Sequence, residues 1–446
     1  MDFENNNLPP SVIKYLKKYA SDNWRITVSE NRKYNNVIVV PAIDEFNNLS
    51  VLIDSISKID PKYFDDTLLL IVVNNTAEVE PDIRGNNMAA IDFLIDLVEG
   101  KFDKDETRKF KSLKLPSLGF VDASSSGYEL PVKDGGVGLA RKIGMDLALT
   151  VFNYEKGKRN LLICLDADCT VESNYLTSIV DEFNKTKAGA GYVNFIHPYP
   201  DEEEGKLAVI CYELFLRYYV LGLAFANSPY AYHTIGSTII CDAEHYCKIG
   251  GMNKQKAAED FYFMEKLAKI TEIHLVKNSF VYPQGRKSWR VPFGTGQRIG
   301  RFLSHTQDEY LLYDPSSFLI LKKWLDVFES SNKISGQEYI TEAKKIDPAL
   351  EQFLISNSFE DSWNKILSNS KSADQLQKQK MIWFDGFRSL KLIHFLRDNG
   401  YPQIKMFDAL DKLMDLTGNK SNIEREQDIP SIDIQMKYLG ILRKLI

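Results

Sequence analysis

The chain has 446 residues, of which 44% are hydrophobic, 26% charged and 12% aromatic, which excludes disorder, a collagen-like repeat and a disulfide-stapled miniprotein. Its 55 Lys and Arg against 61 Asp and Glu leave a net charge of -6, so nothing marks a nucleic-acid partner. Five cysteines (Cys164, Cys169, Cys211, Cys241, Cys247) show no C-x-x-C spacing, which excludes a zinc ribbon.

In chain order, residues 1–35 read as a helical lead. The start MDFENNN is polar and acidic without a secretory pattern, and Ser11–Ala20 is amphipathic. Free thiols in a reducing, cytoplasmic compartment are the expectation. The β-branched run Asn36–Pro41 predicts a strand, followed by a helix near Leu49–Ile59. The alternation continues with strand Thr67–Val73 and helix Asn87–Val98, then strand Leu118–Val121 and helix Gly138–Phe152. Strand Asn160–Leu165 and helix Tyr175–Phe183 follow. This pattern predicts an α/β fold, a mainly parallel sheet flanked by helices. Right-handed crossovers would place the strand carboxyl ends on one edge, where a ligand site belongs. The densely charged stretch Gly100–Pro116 and the Ser- and Gly-rich stretch Ser124–Gly136 read as mobile loops.

Leu207–Ala226 is strongly apolar but carries Glu213 and Arg217. A membrane span needs about 20 apolar residues, and charges within it are costly. A buried or interfacial helix is the better reading, with room for peripheral contact at the inner face of a membrane. From about Asp314 amphipathic helices succeed one another: Ser317–Glu329, Ala349–Ser356, Trp363–Leu367, Ala373–Arg397 and Tyr438–Leu445. The expected organisation is the lead 1–35, a main α/β domain over 36–313 and a helical carboxyl-terminal domain over 314–446.

Three segments carry candidate chemistry. Asp166-Ala167-Asp168 directly follows a predicted strand. Carboxylates at i and i+2 there can turn into one cleft and hold a hard divalent ion beside phosphate oxygens; a capped, solvent-facing turn is the plainer alternative. Gly250-Gly251-Met252 leads to Glu259-Asp260 at the start of a helix over Asp260–Lys269. The helix dipole would keep these acids ionised for use as a base, or they would simply stabilise the first turn. Asp134–Lys142 runs glycines into a helix whose first turn carries a cation, suited to a phosphate or a buried carboxylate. It has neither G-x-G-x-x-G spacing nor a P-loop lysine. The aromatics Tyr212, Phe215, Tyr218, Tyr219, Phe225, Tyr230 and Tyr232 offer a sugar-stacking platform. The helical spacing of the first four favours core packing instead.

The order of these pieces resembles the family 2 glycosyltransferases of the GT-A fold. Pro41-Ala42-Ile43-Asp44-Glu45 stands where that family ends its first strand in a P-x-x-N-E-like motif, and the helix with Ala140-Arg141 looks like its G-x-x-x-A-R helix. Asp166-Ala167-Asp168 is similar to its D-x-D, and Gly250-Gly251 with Glu259-Asp260 to its G-G-F turn and E-D pair. The run from Gln284 to Arg290 looks like a loosened Q-x-x-R-W. The resemblance spans about residues 36–301.

It implies a GT-A, hexosyltransferase-class enzyme that uses Mg2+ or Mn2+. Such an enzyme moves a sugar from a nucleotide-diphosphate-sugar donor to a hydroxyl of a carbohydrate, lipid-linked or small-molecule acceptor. By the same resemblance Pro41, Ala42, Asp44 and Glu45 would line the nucleotide pocket, and Arg141 would support the donor. Asp168 would ligate the metal, with Asp166 beside it on the metal or the donor sugar. Asp260 would be the general base of an inverting transfer, with Glu259 next to it. Gln284, Arg286, Lys287, Trp289 and Arg290 would cover the diphosphate and acceptor.

The sequence departs from the family at several points. Asp44 replaces the usual Asn, and Asn74-Asn75 stands where an acidic residue reads the base. An amide offers both donor and acceptor, so the nucleotide is left open. The spacing from Gln284 to Trp289 is irregular, which argues against a processive synthase. One rival reading is a retaining GT-A enzyme with His233 or His305 as an added metal ligand. A second is a sugar-1-phosphate nucleotidyltransferase, although the G-x-G-x-R-L loop of such enzymes is missing. A third is a non-catalytic sugar-nucleotide-binding module.

Overall fold

The computed structural model describes residues 8–155, 157–286, 294–330 and 334–446. They form two compact units, one of residues 8–198 and 234–285, the other of 199–233, 286 and 294–446. The helical unit therefore takes in a segment from mid-chain, whereas the sequence reading runs one domain over 36–313.

The elements as far as residue 283 are α1 (Pro10–Tyr19), β1 (Thr27–Val28), β2 (Asn36–Ala42), α2 (Phe46–Ser57), β3 (Thr67–Asn74), α3 (Pro81–Val98), α4 (Asp105–Arg108) and β4 (Ser117–Ala123). After them come α5 (Val137–Val151), β5 (Leu161–Cys164), β6 (Cys169–Val171), α6 (Tyr175–Lys185), β7 (Ala190–Phe195) and α7 (Glu203–Phe225). The series closes with β8 (Ile239–Asp242), α8 (Ala243–Lys248), α9 (Glu259–Ala268) and β9 (Ile273–Pro283). All of these except α7 belong to the first unit.

The strands form one sheet in the order β1-β4-β3-β2-β5-β8-β7-β9-β6. β2, β3, β4, β5, β7 and β9 run one way, and β1, β6 and β8 the other. The unit is thus the expected α/β fold, a mostly parallel sheet flanked by helices. β2 and β3 are buried along their whole length, which is why they read as unbroken apolar runs: a central parallel strand is covered on both faces. Val39 of β2 lies opposite Leu70 of β3 on one side and Cys164 of β5 on the other. The chain runs from β2 outward through β3 to β4, then returns to the far side of β2 as β5. That reversal creates a crevice outside the carboxyl ends of β2 and β5, the place where open α/β sheets bind ligands.

The charged stretch 100–116 differs from the mobile loop expected of it. It carries α4 and a 3-10 turn, Lys109–Ser112, whose Phe110 is buried against Phe93 with ring centroids 5.9 Å apart. One large aromatic outweighs a run of charges that can all stay in water.

The second unit combines α7 with α10 (Thr295–Leu303), α11 (Pro315–Ser330), α12 (Gly336–Ile346), α13 (Pro348–Ser356), α14 (Phe359–Asn369), α15 (Ala373–Trp383), α16 (Gly386–Asp398), α17 (Met406–Leu416) and α18 (Ile432–Leu445). α7 is long and apolar enough to cross a membrane, yet most of it is buried in the core of this unit. Tyr212 and Tyr218 are buried there and Phe215, Tyr219 and Phe225 pack against the same core. These aromatics form core, not an exposed platform.

Candidate active site

Asp166 leaves the end of β5, and a tight turn through Ala167 and Asp168 leads into β6. β6 pairs antiparallel with β9, Thr170 opposite Tyr282, which fixes the turn at the sheet edge. Both carboxylates are half-buried. Facing them is Arg141 of α5, only 3% exposed. Its Nη2 donates to Asp166 Oδ1 at 2.6 Å, and its Nη1 donates to Glu259 Oε1. The arginine thus ties the D-x-D turn to the acid pair. Burial works against its charge, but Asp166 and Glu259 outweigh it and hold the guanidinium protonated.

Two glycines make this meeting possible. A Cβ at Gly236, on the turn before β8, would lie 2.5 Å from both Nη1 and Nη2 of Arg141, so the guanidinium rests against bare backbone. A Cβ at Gly138 would lie 2.4 Å from the Gln255 carbonyl and 3.0 Å from Glu259 Cβ. The start of α5 can therefore approach the acid-bearing loop only because residue 138 has no side chain.

Glu259 opens α9 and is 4% exposed, and Asn253 Nδ2 donates to its carbonyl at 3.0 Å. Asp260 is half-buried, and its Oδ1 accepts the Phe261 N–H at 2.7 Å. Loss of hydration pushes its carboxyl up to about 7, the charge of Glu259 adding to the shift and Arg141 opposing it. A carboxyl poised near neutrality beside a crevice is suited to proton transfer.

On the β2 side, Pro41 and Ala42 complete the buried strand, and Asp44 adopts a left-handed conformation with φ of 56°. Glu45 is buried, and its Oε2 accepts from Asn48 Nδ2. Asn74 and Asn75, at the end of β3, are 3% and 1% exposed. Asn74 Nδ2 donates to the carbonyls of Ala42 and Val72 at 3.0 and 3.1 Å. Asn75 Nδ2 donates to those of Thr76 and Ser124 at 3.1 and 3.2 Å. The donors of both amides are thus spent on neighbouring backbone. Sequence reasoning passed over Asn86 and Asn87 of α3, whose amides hold the turn after β2. Two consecutive asparagines inside a helix, where their amides compete with the backbone, were the available signal.

Gln284 stands exposed just after β9 and Arg286 is half-buried. Lys287, Trp289 and Arg290 lie outside the described residues. His233 and His305 both belong to the helical unit, the first buried and the second exposed with Nε2 3.3 Å from Glu204. Among the described residues no three His, Cys, Asp or Glu gather into a metal cage. The donors that are present, the carboxylates of Asp166 and Asp168, suit a hard divalent ion whose other ligands are phosphate oxygens and water.

No protein-family model and no curated protein matches the chain. Among solved structures, S. aureus TarS 1–349 in complex with UDP-GlcNAc is similar at 12% identity and a TM-score of 0.38, over 92% of this chain and 90% of that one. The mannosyltransferase PcManGT from Pyrobaculum calidifontis, in complex with GDP-Man and Mn2+, is similar at 12% identity and a TM-score of 0.37, over 87% and 94%. A likeness of this degree leaves the activity of this chain to be argued from its own residues.

Proposed function

We propose that the α/β unit is a GT-A glycosyltransferase that moves a sugar, with inversion, from a nucleotide-diphosphate-sugar donor to an acceptor hydroxyl. The observation that carries this reading is the Arg141 bridge. Segments at residues 141, 166 and 259, far apart in sequence, converge beside the β2–β5 crevice with direct contacts from Arg141 Nη2 to Asp166 and from Nη1 to Glu259.

Pro41, Ala42, Asp44 and Glu45, with Asn74 and Asn75, form the nucleotide wall of this reading. Asp168, with Asp166, would hold Mg2+ or Mn2+. When bound, that ion would offset charge developing on the departing diphosphate. Arg141 orients both Asp166 and Glu259 through its two guanidinium hydrogen bonds. Asp260 accepts the acceptor hydroxyl proton on a carboxylate oxygen as the new bond to the anomeric carbon forms. Gln284 lies at the start of the segment that this reading assigns to the diphosphate and acceptor.

Calorimetric titration of UDP, GDP and CDP, each with and without Mn2+, tests the proposal on the full chain and on Asp168→Ala. Metal-dependent binding of one nucleotide, lost in the variant, supports it. Binding of none overturns it.

A further inference from the structure

Two asparagines of α3 hold the turn that follows β2. Asn87 is 1% exposed and its amide reaches three segments at once. Oδ1 accepts the Asp44 N–H at 2.9 Å, while Nδ2 donates to the Asn74 carbonyl at 3.0 Å and to Asn75 Oδ1 at 2.8 Å. Beside it, Asn86 Oδ1 accepts the Phe46 N–H at 3.0 Å.

The turn they hold needs holding. Asp44 has φ of 56°, a left-handed conformation that is unfavourable for a residue with a side chain and persists only where its surroundings enforce it. Glu45 supplies no side-chain cap to α2, so the first amide of that helix is satisfied by α3 instead. Asparagine is a weak choice inside a helix. The turn, not the helix, accounts for both residues.

We infer that Asn86 and Asn87 are positioning residues for the nucleotide wall. They keep Asp44 in its left-handed conformation and fasten the β2–α2 turn to the end of β3, and so set nucleotide affinity without touching the nucleotide. The inference rests on the reading of the β2–β5 crevice as the nucleotide site, and it adds residues that lie in none of the motifs of that site.

A four-protein cycle tests it: wild type, Asn87→Ala, Asp44→Gly and the double variant, each titrated calorimetrically with UDP, GDP and CDP in Mn2+. Glycine occupies the left-handed region freely, so Asp44→Gly removes the need for the Asn87 clamp. The expected result is about tenfold weaker binding in Asn87→Ala. The same change made on top of Asp44→Gly should weaken binding less than about threefold, a coupling typical of residues in contact. General destabilisation would lower the melting temperature without that coupling. Equal losses in the two backgrounds, or none, overturn the inference and leave the nucleotide site standing. A wild-type chain that binds no nucleotide overturns both. Should Asn87→Ala fail to fold, Asn86→Ala removes a single hydrogen bond from a half-buried position. Binding about threefold weaker, with the melting temperature held within a few degrees, supports the inference, and unchanged binding overturns it.

Discussion

Each unit buries an arginine, and the company each one keeps is different. In the helical unit Arg217 and Glu213 sit one turn apart on α7 with no exposed surface. Arg217 Nε donates to Glu213 Oε1 at 2.9 Å, and Arg443 of α18 donates to both Glu213 oxygens at 2.7 and 3.0 Å. Cation already meets anion from two sides, inside an apolar core. In the α/β unit one guanidinium, Arg141, faces Asp166 and Glu259, with Asp260 next in sequence. That cluster has a surplus of acid and opens toward a crevice. A closed cluster fastens helices together. An open one is short of positive charge, which favours the protonated form of Asp260.

If the open cluster is the working one, the largest effect belongs to Asp260→Asn. Turnover of a nucleotide sugar should fall about 10²–10⁴-fold, while calorimetric nucleotide affinity stays within about threefold; an undiminished rate removes Asp260 from the chemistry. Next comes Arg141→Ala, which strands Glu259 as a buried, uncompensated carboxylate. Urea unfolding should show a loss of about 3–5 kcal/mol. The closed cluster should behave in the opposite way when replaced as a whole. Glu213→Leu, Arg217→Met and Arg443→Met together should leave stability unchanged or raise it by about 1–4 kcal/mol, with nucleotide binding intact. A large loss would show that the closed cluster is more than a fastening. Smaller again is Gly236→Ala, whose methyl would push on the Arg141 guanidinium. A cost of about 1–3 kcal/mol, with weaker nucleotide binding, would show that the arginine needs its place as well as its charge.

How much of this was legible in the sequence depended on whether the determinant was local. β2, β3 and β5 are apolar runs because both their faces are covered, and a run is visible in one dimension. β7 (AGYVNF) and β8 (four residues) are too short or too mixed to stand out, and β9 has a half-exposed, uneven pattern. Its pairing with β7 also slips in register between Val193 and Asn194. The helical stretch expected over Ala373–Arg397 is two helices, α15 and α16. Phe384 closes the first and Asp385 caps the second, accepting the Arg388 N–H at 3.0 Å. Amphipathic spacing runs on across such a break, so the cap is the only sign of it. At the site, the residue types were legible and the partnerships were not. Arg141 meets one carboxylate 25 residues away and another 118 away, and only the β2–β5 reversal brings them together. Asn74 and Asn75 looked like base readers from position alone; their Nδ2 groups turn out to bond the backbone.

The mildest test uses the proton itself. The carboxyl of Asp260 is pushed up to about 7 in the folded chain, whereas an unfolded chain gives Asp a value of about 4. Between those two pH values the folded state holds a proton that the unfolded state has released, so raising the pH favours unfolding. The contribution is fully present below about pH 4 and lost as the pH passes about 7, and its slope is at most about 1.4 kcal/mol per pH unit. Access to solvent at this half-buried group makes the real slope smaller. Asp260→Asn has no such proton to lose, so in metal-free buffer its stability should decline less than that of wild type from pH 5 to 8. The difference between the two unfolding curves isolates the group. The closed cluster provides the contrast, because Arg217→Met should leave this difference unchanged. If Asp260 is the general base, the same proton acts on the rate with the opposite sign: a base must be ionised, so the rate should climb toward a plateau above about pH 7 while stability falls. Parallel slopes for wild type and Asp260→Asn would mean that the acid surplus beside Arg141 is neutralised within the fold, and the contrast between the two clusters would disappear.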